Sequence, residues 1–204
     1  MVAIIDYGMG NLHSIHNMIK NIGEESIISN LPSEIELCDK IILPGVGAFD
    51  RAVNQLHQLQ LWDFLNDQAL IQKKPILGIC LGMQLISKKS EEGNLNGFGW
   101  IEATTKKFTF DKNFLIPHMG WNSVIFNPNH SSQFPETQNL DTKKFYFVHS
   151  YFVECENKEN ILCSTKYGNE FTSGIIKDNI YGLQFHPEKS HFYGKHIFKD
   201  FINS

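Results

Sequence analysis

The chain has 204 residues, 42% hydrophobic and 20% charged, which suits a single globular domain over 1–204 with a core large enough to fold without disulfide staples. Its net charge of -4 and its scattered Lys and Arg residues offer no basic surface for a phosphate backbone, which argues against a nucleic-acid partner. No run approaches the roughly 20 apolar residues that cross a bilayer, so no membrane partner is expected.

The first 90 residues alternate short apolar runs with amphipathic stretches, a pattern typical of βαβ units in an α/β fold with a mainly parallel sheet. Strands are predicted at 2–5, 40–43 and 75–79. Asn11 stands where it can cap a first helix, and 49–72 is expected to hold one or two more helices.

After a polar turn at 91–96 the sequence pattern changes to short β-like runs, so the second half is expected to be rich in β structure. A Pro/Asn/Ser-rich loop is predicted at 127–141 and a closing helix at 190–202. Further strand-like segments lie near Trp100, Phe108, Leu115 and Val124, and at 145–148, 152–154, 161–165, 171–176 and 181–185.

Four cysteines occur without the C-x-x-C spacing of a metal or redox site, so no metal is expected. The start of the chain lacks the features of a signal peptide, which predicts a cytoplasmic protein with reduced thiols. For Cys38, Cys155 and Cys163 a buried structural role is the better interpretation.

Cys80 stands apart because it lies in Gly-Ile-Cys-Leu-Gly at 78–82, between an apolar strand and a helix. This is the pattern of a nucleophile elbow, with cysteine in place of serine. A helix N-terminus favours the thiolate, and the amide of Leu81 would face the oxygen of a tetrahedral intermediate. A structural cysteine in a glycine-flanked strand is the competing interpretation.

A cysteine nucleophile needs a base and a group that orients the base. The segment Gln-Phe-His-Pro-Glu at 184–188 offers both, because His186 closes an apolar strand and Glu188 follows two residues later. In open α/β sheets, sites lie at the carboxyl ends of strands, which favours His186 over an ordinary surface histidine.

These two motifs resemble those of the class I, triad-type glutamine amidotransferases, whose cysteine, histidine and glutamate match Cys80, His186 and Glu188. Four further segments resemble, within that family, the glutaminase subunits of imidazole glycerol phosphate synthase. They are Asp-Tyr-Gly-Met-Gly-Asn at 6–11, Leu-Pro-Gly-Val-Gly-Ala-Phe at 43–49, Pro-His-Met-Gly-Trp-Asn at 117–122 and Phe-Val-His-Ser-Tyr at 147–151. The resemblance implies a flavodoxin-like, open and mainly parallel sheet flanked by helices, with additional antiparallel β elements.

The resemblance also implies roles for individual residues. Those expected to form the oxyanion hole or to bind glutamine are Gly45, Val46, Gly47, Leu81, Gln84, His149, Ser150 and Tyr151. Those expected to face the synthase subunit are Asn11, His118, Met119, Gly120, Trp121 and Asn122. Without the resemblance, 118–122 would be interpreted as a β-turn carrying a core tryptophan.

The implied activity is hydrolysis of L-glutamine to glutamate and ammonia through a cysteine thioester, without a cofactor. Because the chain leaves no room for an acceptor domain, ammonia would pass through a channel to a separate (βα)₈-barrel cyclase in a heterodimer. That cyclase makes imidazole glycerol phosphate and aminoimidazole carboxamide ribotide in histidine biosynthesis. The oxyanion strand is expected to reach its active form only in this complex.

Three alternatives stay open at this stage. The segment 91–101 and His13, where an arginine is more usual, resemble paralogues that supply ammonia to a sugar amidotransferase in surface polysaccharide synthesis. A degenerate binding module is disfavoured by the intact Cys80, His186 and Glu188. A cysteine peptidase or esterase would share the elbow but does not explain Gln84.

Overall fold

The computed structural model describes residues 1–110, 114–141 and 143–204. The strands in these ranges are β1 (Val2–Ile5), β2 (Ser26–Ser29), β3 (Lys40–Leu43), β4 (Ile76–Ile79), β5 (Lys89–Ser90), β6 (Ala103–Lys107), β7 (His118–Phe126), β8 (Lys144–His149), β9 (Tyr151–Cys155), β10 (Ile161–Tyr167), β11 (Asn169–Lys177) and β12 (Ile180–Leu183). The α-helices are α1 (Leu12–Asn21), α2 (Pro32–Ile35), α3 (Phe49–Gln58), α4 (Leu61–Asn66), α5 (Leu81–Ile86), α6 (Pro135–Gln138) and α7 (His191–Asn203).

One sheet contains all the strands of the described ranges, and its main order is β2-β1-β3-β4-β12-β11-β10-β7-β8. The first five of these are parallel to one another. From β12 onward the neighbours are antiparallel. The predicted α/β class, with a mainly parallel central sheet and antiparallel elements in the second half, is confirmed.

Four of the parallel strands, β1, β3, β4 and β12, are buried on both faces because helices cover each side, whereas the edge strand β2 is partly exposed. Ala3 and Ile5 of β1 belong to one apolar cluster, together with residues of α3, α4 and α5. Val2 and Ile4 belong to a second cluster, to which α1 and α7 contribute. None of the helices in the described ranges is long and apolar enough to cross a membrane.

Several local expectations differ from the structure. The strand Ser26–Ser29 was not predicted, because its four residues offer little apolar signal. Among the described residues, no strand forms around Trp100 or at 114–117, and the loop expected at 127–141 contains the short helix α6. The capping prediction for Asn11 is wrong, since this residue precedes α1 but its side chain makes no capping hydrogen bond.

Candidate active site

The carboxyl ends of three neighbouring parallel strands carry the predicted catalytic segments. The turn at 44–47 follows β3, Cys80 follows β4, and His186 lies three residues beyond β12. Because β4 lies between β3 and β12, these segments meet at one edge of the sheet. The amide of Cys80 donates to the Leu183 carbonyl at 2.7 Å, which connects the predicted nucleophile to the strand that leads to His186.

Cys80 occupies a strained backbone conformation, with φ 54° and ψ -106°, which residues other than glycine rarely adopt. The flanking glycines make this turn possible by allowing close approach. A Cβ on Gly78 would lie 2.6 Å from the Gly82 carbonyl oxygen, and one on Gly82 would lie 1.9 Å from the Leu43 carbonyl oxygen. The geometry agrees with the predicted nucleophile elbow, and Cys80 retains 7% exposure.

His186 and Glu188 form a buried pair in which Nδ1 of the ring donates to Oε1 of the carboxylate at 2.7 Å. Burial by itself would lower the pKa of His186, but the adjacent Cys80 sulfur and the Glu188 carboxylate outweigh it and raise that pKa to about 10. Nε2 is buried and makes no hydrogen bond to a described residue. The Cys80 sulfur is nevertheless near enough to His186 to raise the pKa of the ring.

Asn11 adds a second donor to Glu188. Its Nδ2 donates to the same Oε1 atom at 2.8 Å, which explains why the side chain does not cap α1. The other oxygen, Oε2, is buried without a hydrogen-bond partner among the described residues. Asn11 was expected at the partner face, and its hydrogen bond to Glu188 also places it beside the predicted triad, a contact that the sequence did not reveal.

A pocket of about 380 Å³ opens above Cys80. All but one of the residues expected to form the oxyanion hole or to bind glutamine line it, Gly45 being the exception. The lining residues are Val46, Gly47, Cys80, Leu81, Gln84, Glu92, Pro117, Val148, His149, Ser150 and Tyr151. Another groove, of about 440 Å³ on β7, β10 and β11, contains none of the predicted site residues.

Glu92 is a pocket residue that the sequence patterns did not indicate. The residue as a whole is exposed, but its carboxylate is partly enclosed, and its Oε2 accepts a hydrogen bond from the Phe49 amide at the start of α3 at 2.9 Å. Burial raises the pKa of Glu92, although that amide acts in the opposite direction. Its only sequence signal is a carboxylate twelve residues after Cys80, in a segment that reads as a polar turn.

Gln184 is a second residue of the candidate site that the sequence patterns did not single out. It is fully buried, and its Nε2 donates to the Cys80 sulfur at 3.7 Å. Its Oε1 accepts from Gln84 Nε2 at 3.3 Å, so two glutamine side chains connect Cys80 to the pocket wall. The available signal was a polar residue two positions before His186, which places it on the same side of an extended segment.

The predicted pair of oxyanion donors is not open in this structure. The Leu81 amide donates to the Gly45 carbonyl at 3.4 Å, so the position meant for the substrate oxygen faces a protein carbonyl instead. The turn at 44–47 is also fixed by Tyr7, whose hydroxyl donates to the Pro44 carbonyl at 2.5 Å. The expectation that Leu81 points at the intermediate is therefore wrong for this conformation.

The predicted partner segment 118–122 is part of β7 and alternates between two faces. Met119 and Trp121 are 61% and 48% exposed, which contradicts the interpretation of a core tryptophan. His118 is only 2% exposed, and Gly120 and Asn122 are intermediate. A contact surface that includes His118 is therefore wrong, because the two-residue period of a strand turns that ring inward.

The remaining cysteines behave as structural residues. Cys38 and Cys163 are buried, and Cys155 is partly buried. Burial raises the pKa of all three thiols, to about 12 for Cys155 and Cys163. Within the described ranges, no group of three or more His, Cys, Asp and Glu residues is arranged to hold a metal ion.

Several solved structures share this fold. A structure of PurLQS from Thermotoga maritima superposes with a TM-score of 0.76 at 16% identity, over 99% of this chain and 97% of that chain. A crystal structure of a glutamine amidotransferase superposes with a TM-score of 0.75 at 14% identity, over 100% and 98% of the two chains. At these identities the likeness establishes the fold alone.

Sequence relatives cover nearly the whole chain. A family model described as glutamine amidotransferase class-I matches residues 3–204. Imidazole glycerol phosphate synthase subunit HisH 2 of Methanococcus maripaludis is 54% identical over 203 residues, which are 99% of this chain and 98% of that protein. The protein of the same name from Pseudomonas aeruginosa is 42% identical over 203 residues, with the same shares. The chain therefore belongs to the class-I glutamine amidotransferases and, within them, to the HisH subunits of imidazole glycerol phosphate synthase.

Proposed function

We propose that the chain hydrolyses L-glutamine to glutamate and ammonia, with Cys80 as the nucleophile, His186 as the proton carrier and Glu188 as its orienting group. The observation that carries this proposal is the convergence of these groups at one end of the sheet. Cys80 lines the pocket, and the buried His186–Glu188 pair, joined at 2.7 Å, is near enough for Cys80 to raise the pKa of His186.

The reaction begins with attack of the Cys80 thiolate on the side-chain carbonyl carbon of glutamine. As the carbon–nitrogen bond breaks, His186 gives its Nε2 proton to the leaving nitrogen. Ammonia leaves, and the thioester between Cys80 and the glutamyl group is formed. His186, then neutral at Nε2, takes a proton from water as the water oxygen attacks the thioester. The carbon–sulfur bond breaks, glutamate leaves and the thiolate is restored.

Recognition of the substrate falls to charged and amide groups in the pocket wall. Glutamine carries an α-ammonium group, and Glu92 is the carboxylate that lines the pocket. An ion pair between them would hold the amino-acid end while the side-chain amide reaches Cys80. Gln84 completes the wall, positioned by its bonds to the Tyr151 carbonyl and to Gln184.

The ammonia acceptor is proposed to be a cyclase subunit bound as a heterodimer, reached through a channel. Met119 and Trp121 supply an exposed apolar surface of the kind that such a subunit would cover. The occupied Leu81 amide fits a glutaminase that gains its oxyanion hole on assembly, when the Gly45–Val46 peptide turns and presents its N–H to the pocket. One missing donor typically costs ~10²–10³ in rate, so the chain alone should be a slow glutaminase.

Histidine biosynthesis is the favoured pathway because the matched relatives are named as subunits of imidazole glycerol phosphate synthase. The alternative of a sugar amidotransferase partner is not favoured. The whole chain is proposed to act as one domain over 1–204, since both halves supply strands to the sheet and residues to the triad. A cytoplasmic location is inferred from cysteines that are all free in the structure.

The decisive experiment replaces the nucleophile in the assembled complex. Cys80→Ala should abolish glutamine hydrolysis and leave synthesis from ammonium salts intact. Cys155→Ala is the matched control, because it removes a thiol that does not line the pocket. Full glutaminase activity in Cys80→Ala would contradict the proposal, as would loss of the ammonia-dependent reaction in a correctly assembled complex.

A further inference from the structure

A series of hydrogen bonds connects the predicted partner strand with the glutamine pocket. Nδ2 of Asn122 lies 3.2 Å from Nε2 of His118. Nδ1 of His118 lies 2.9 Å from Nε2 of His149, and Nδ1 of His149 lies 2.7 Å from the Tyr151 carbonyl oxygen. The two histidines meet because they are opposed in the β7–β8 register. We call these three side chains and the Tyr151 carbonyl the histidine relay.

The direction of every bond in the histidine relay is determined by its ends. The Tyr151 carbonyl can only accept, so His149 must carry its proton on Nδ1 and accept through Nε2. His118 must then also be protonated on Nδ1, which leaves its Nε2 to accept from Asn122. The amide of Asn122 cannot be reversed, because its second hydrogen goes to the Lys166 carbonyl at 3.0 Å and its oxygen accepts from the Ser123 amide.

Both rings are neutral in this environment. His118 is stacked between Phe147 and Tyr167, with ring centroids 4.7 Å and 4.0 Å away. His149 is 5% exposed. Burial lowers the pKa of His118 to about 4 and that of His149 to about 3. Neither histidine is available as an acid or base near neutral pH, so their role must come from hydrogen bonding.

The histidine relay ends on the wall of the pocket and continues toward the nucleophile. The Tyr151 carbonyl also accepts from Gln84 Nε2 at 3.4 Å. Gln84 in turn donates to Gln184, whose amide reaches the Cys80 sulfur. These last bonds are long and can adjust, whereas the bonds between the rings of the relay are shorter and lie among aromatic side chains. We therefore expect the relay to hold its geometry and the side chains of the pocket to shift with it.

We propose that His118 and His149 are positioning residues, both neutral and protonated on Nδ1, which set the Tyr151 carbonyl and Gln84 according to the position of Asn122 on the partner strand. This inference rests on the proposed glutaminase function. Met119 and Trp121 flank the inward residues of β7, so a partner that moves this strand also moves the relay. The relay links docking to glutamine binding without requiring a charged group to move through the core.

The first test reads the protonation sites directly. The Nε2–H form is the common one for a neutral histidine in water, so a pair of Nδ1–H histidines is a distinctive signature. We expect ¹⁵N NMR of the full chain bound to its cyclase, near neutral pH, to show Nδ1–H on both rings, assigned with single His→Phe variants. An Nε2–H form or a doubly protonated ring at either position would overturn the relay.

The second test reverses the polarity of the first bond. Asn122→Asp keeps the shape but replaces both donors by a carboxylate, which faces the lone pair of His118 Nε2. We expect the KM for glutamine to rise about tenfold in the complex, with kcat changed little, because a buried polar group loses its partner. Ser123→Asp is the matched control, since it adds the same charge on the exposed neighbouring position and should change KM less than about twofold.

A double-mutant cycle separates the relay from a general disturbance of β7. His118→Phe keeps the stacking between Phe147 and Tyr167 but cuts the relay, so adding Asn122→Asp to it should have no further effect on KM. Additive effects, or equal effects of Asn122→Asp and Ser123→Asp, would overturn the inference. An inactive wild-type complex would refute the glutaminase itself, whereas an active wild type with an unaltered Asn122→Asp refutes only the relay.

Discussion

Removal of the Asn11 side chain should slow glutamine hydrolysis by weakening the orientation of Glu188. Asn11 donates one of the two hydrogen bonds that Oε1 of Glu188 receives, and Oε2 has no partner among the described residues. A hydrogen bond to a charged group contributes about 1.5–3 kcal/mol, and each 1.4 kcal/mol is a factor of ten. Asn11→Ala should therefore lower kcat/KM by about 10- to 100-fold, with the main loss in kcat.

The assay is glutamate release by the isolated chain and by the complex at saturating cyclase. Saturation matters because Asn11 is also expected near the partner face, and weaker docking would otherwise imitate a catalytic defect. Ser14→Ala is the matched control, as it alters an exposed residue of the same helix. Asn11→Asp should be worse than Asn11→Ala, since it sets a second carboxylate against Glu188. Unchanged kcat/KM for Asn11→Ala in the saturated complex would refute the reasoning.

The remaining predictions concern stability and substrate recognition. Gly82→Ala should prevent folding or lower Tm far more than Gly8→Ala, because the added Cβ would lie 1.9 Å from a backbone oxygen at the end of β3. At Gly8 the φ of 80° makes a side chain strained, but its Cβ would meet no atom within 4 Å. Equal melting curves for the two variants would contradict this. The free energy of unfolding should fall as pH drops from 6.5 toward 4, because His118 and His149 bind protons only when unfolded. By pH 5 roughly 2 kcal/mol is lost per histidine, and urea titrations should show a smaller loss in His118→Phe. Glu92→Gln should raise the KM for glutamine at least about tenfold with little change in kcat, and an unaltered KM would exclude the ion pair.

The elbow could be predicted because its requirements are local. The spacing of Gly78 and Gly82 around Cys80 reflects backbone contacts that no side chain permits, and such constraints leave a readable pattern. The pairing of His186 with Glu188 is also short in range. The alternation of apolar runs likewise gave the α/β class, since buried parallel strands need continuous apolar residues.

Other features escaped prediction because they depend on distant partners. Asn11 has the residue type and position of a helix cap, but Glu188, 177 positions away, competes for its amide. Gln184 and Glu92 could not be recognised from the sequence, because only the fold brings Glu92 into the pocket wall and Gln184 next to Cys80. Whether His118 faces inward depends on which alternate residues of β7 point toward the core. The sequence did not indicate this, because the Gly and Trp residues of the segment suggested a turn and not a strand.

The place of β12 in the sheet has a consequence for biosynthesis. Of the strands described, β12 is the last to leave the ribosome, yet it inserts between β4 and β11 at the centre of the sheet. Until it arrives, a nascent chain presents the hydrogen-bonding edge of β4, a surface that invites mispairing and chaperone capture. The same delay keeps Cys80 apart from His186 until β12 has been added, so we expect an unfinished polypeptide to lack the proposed triad and to be inactive as a glutaminase.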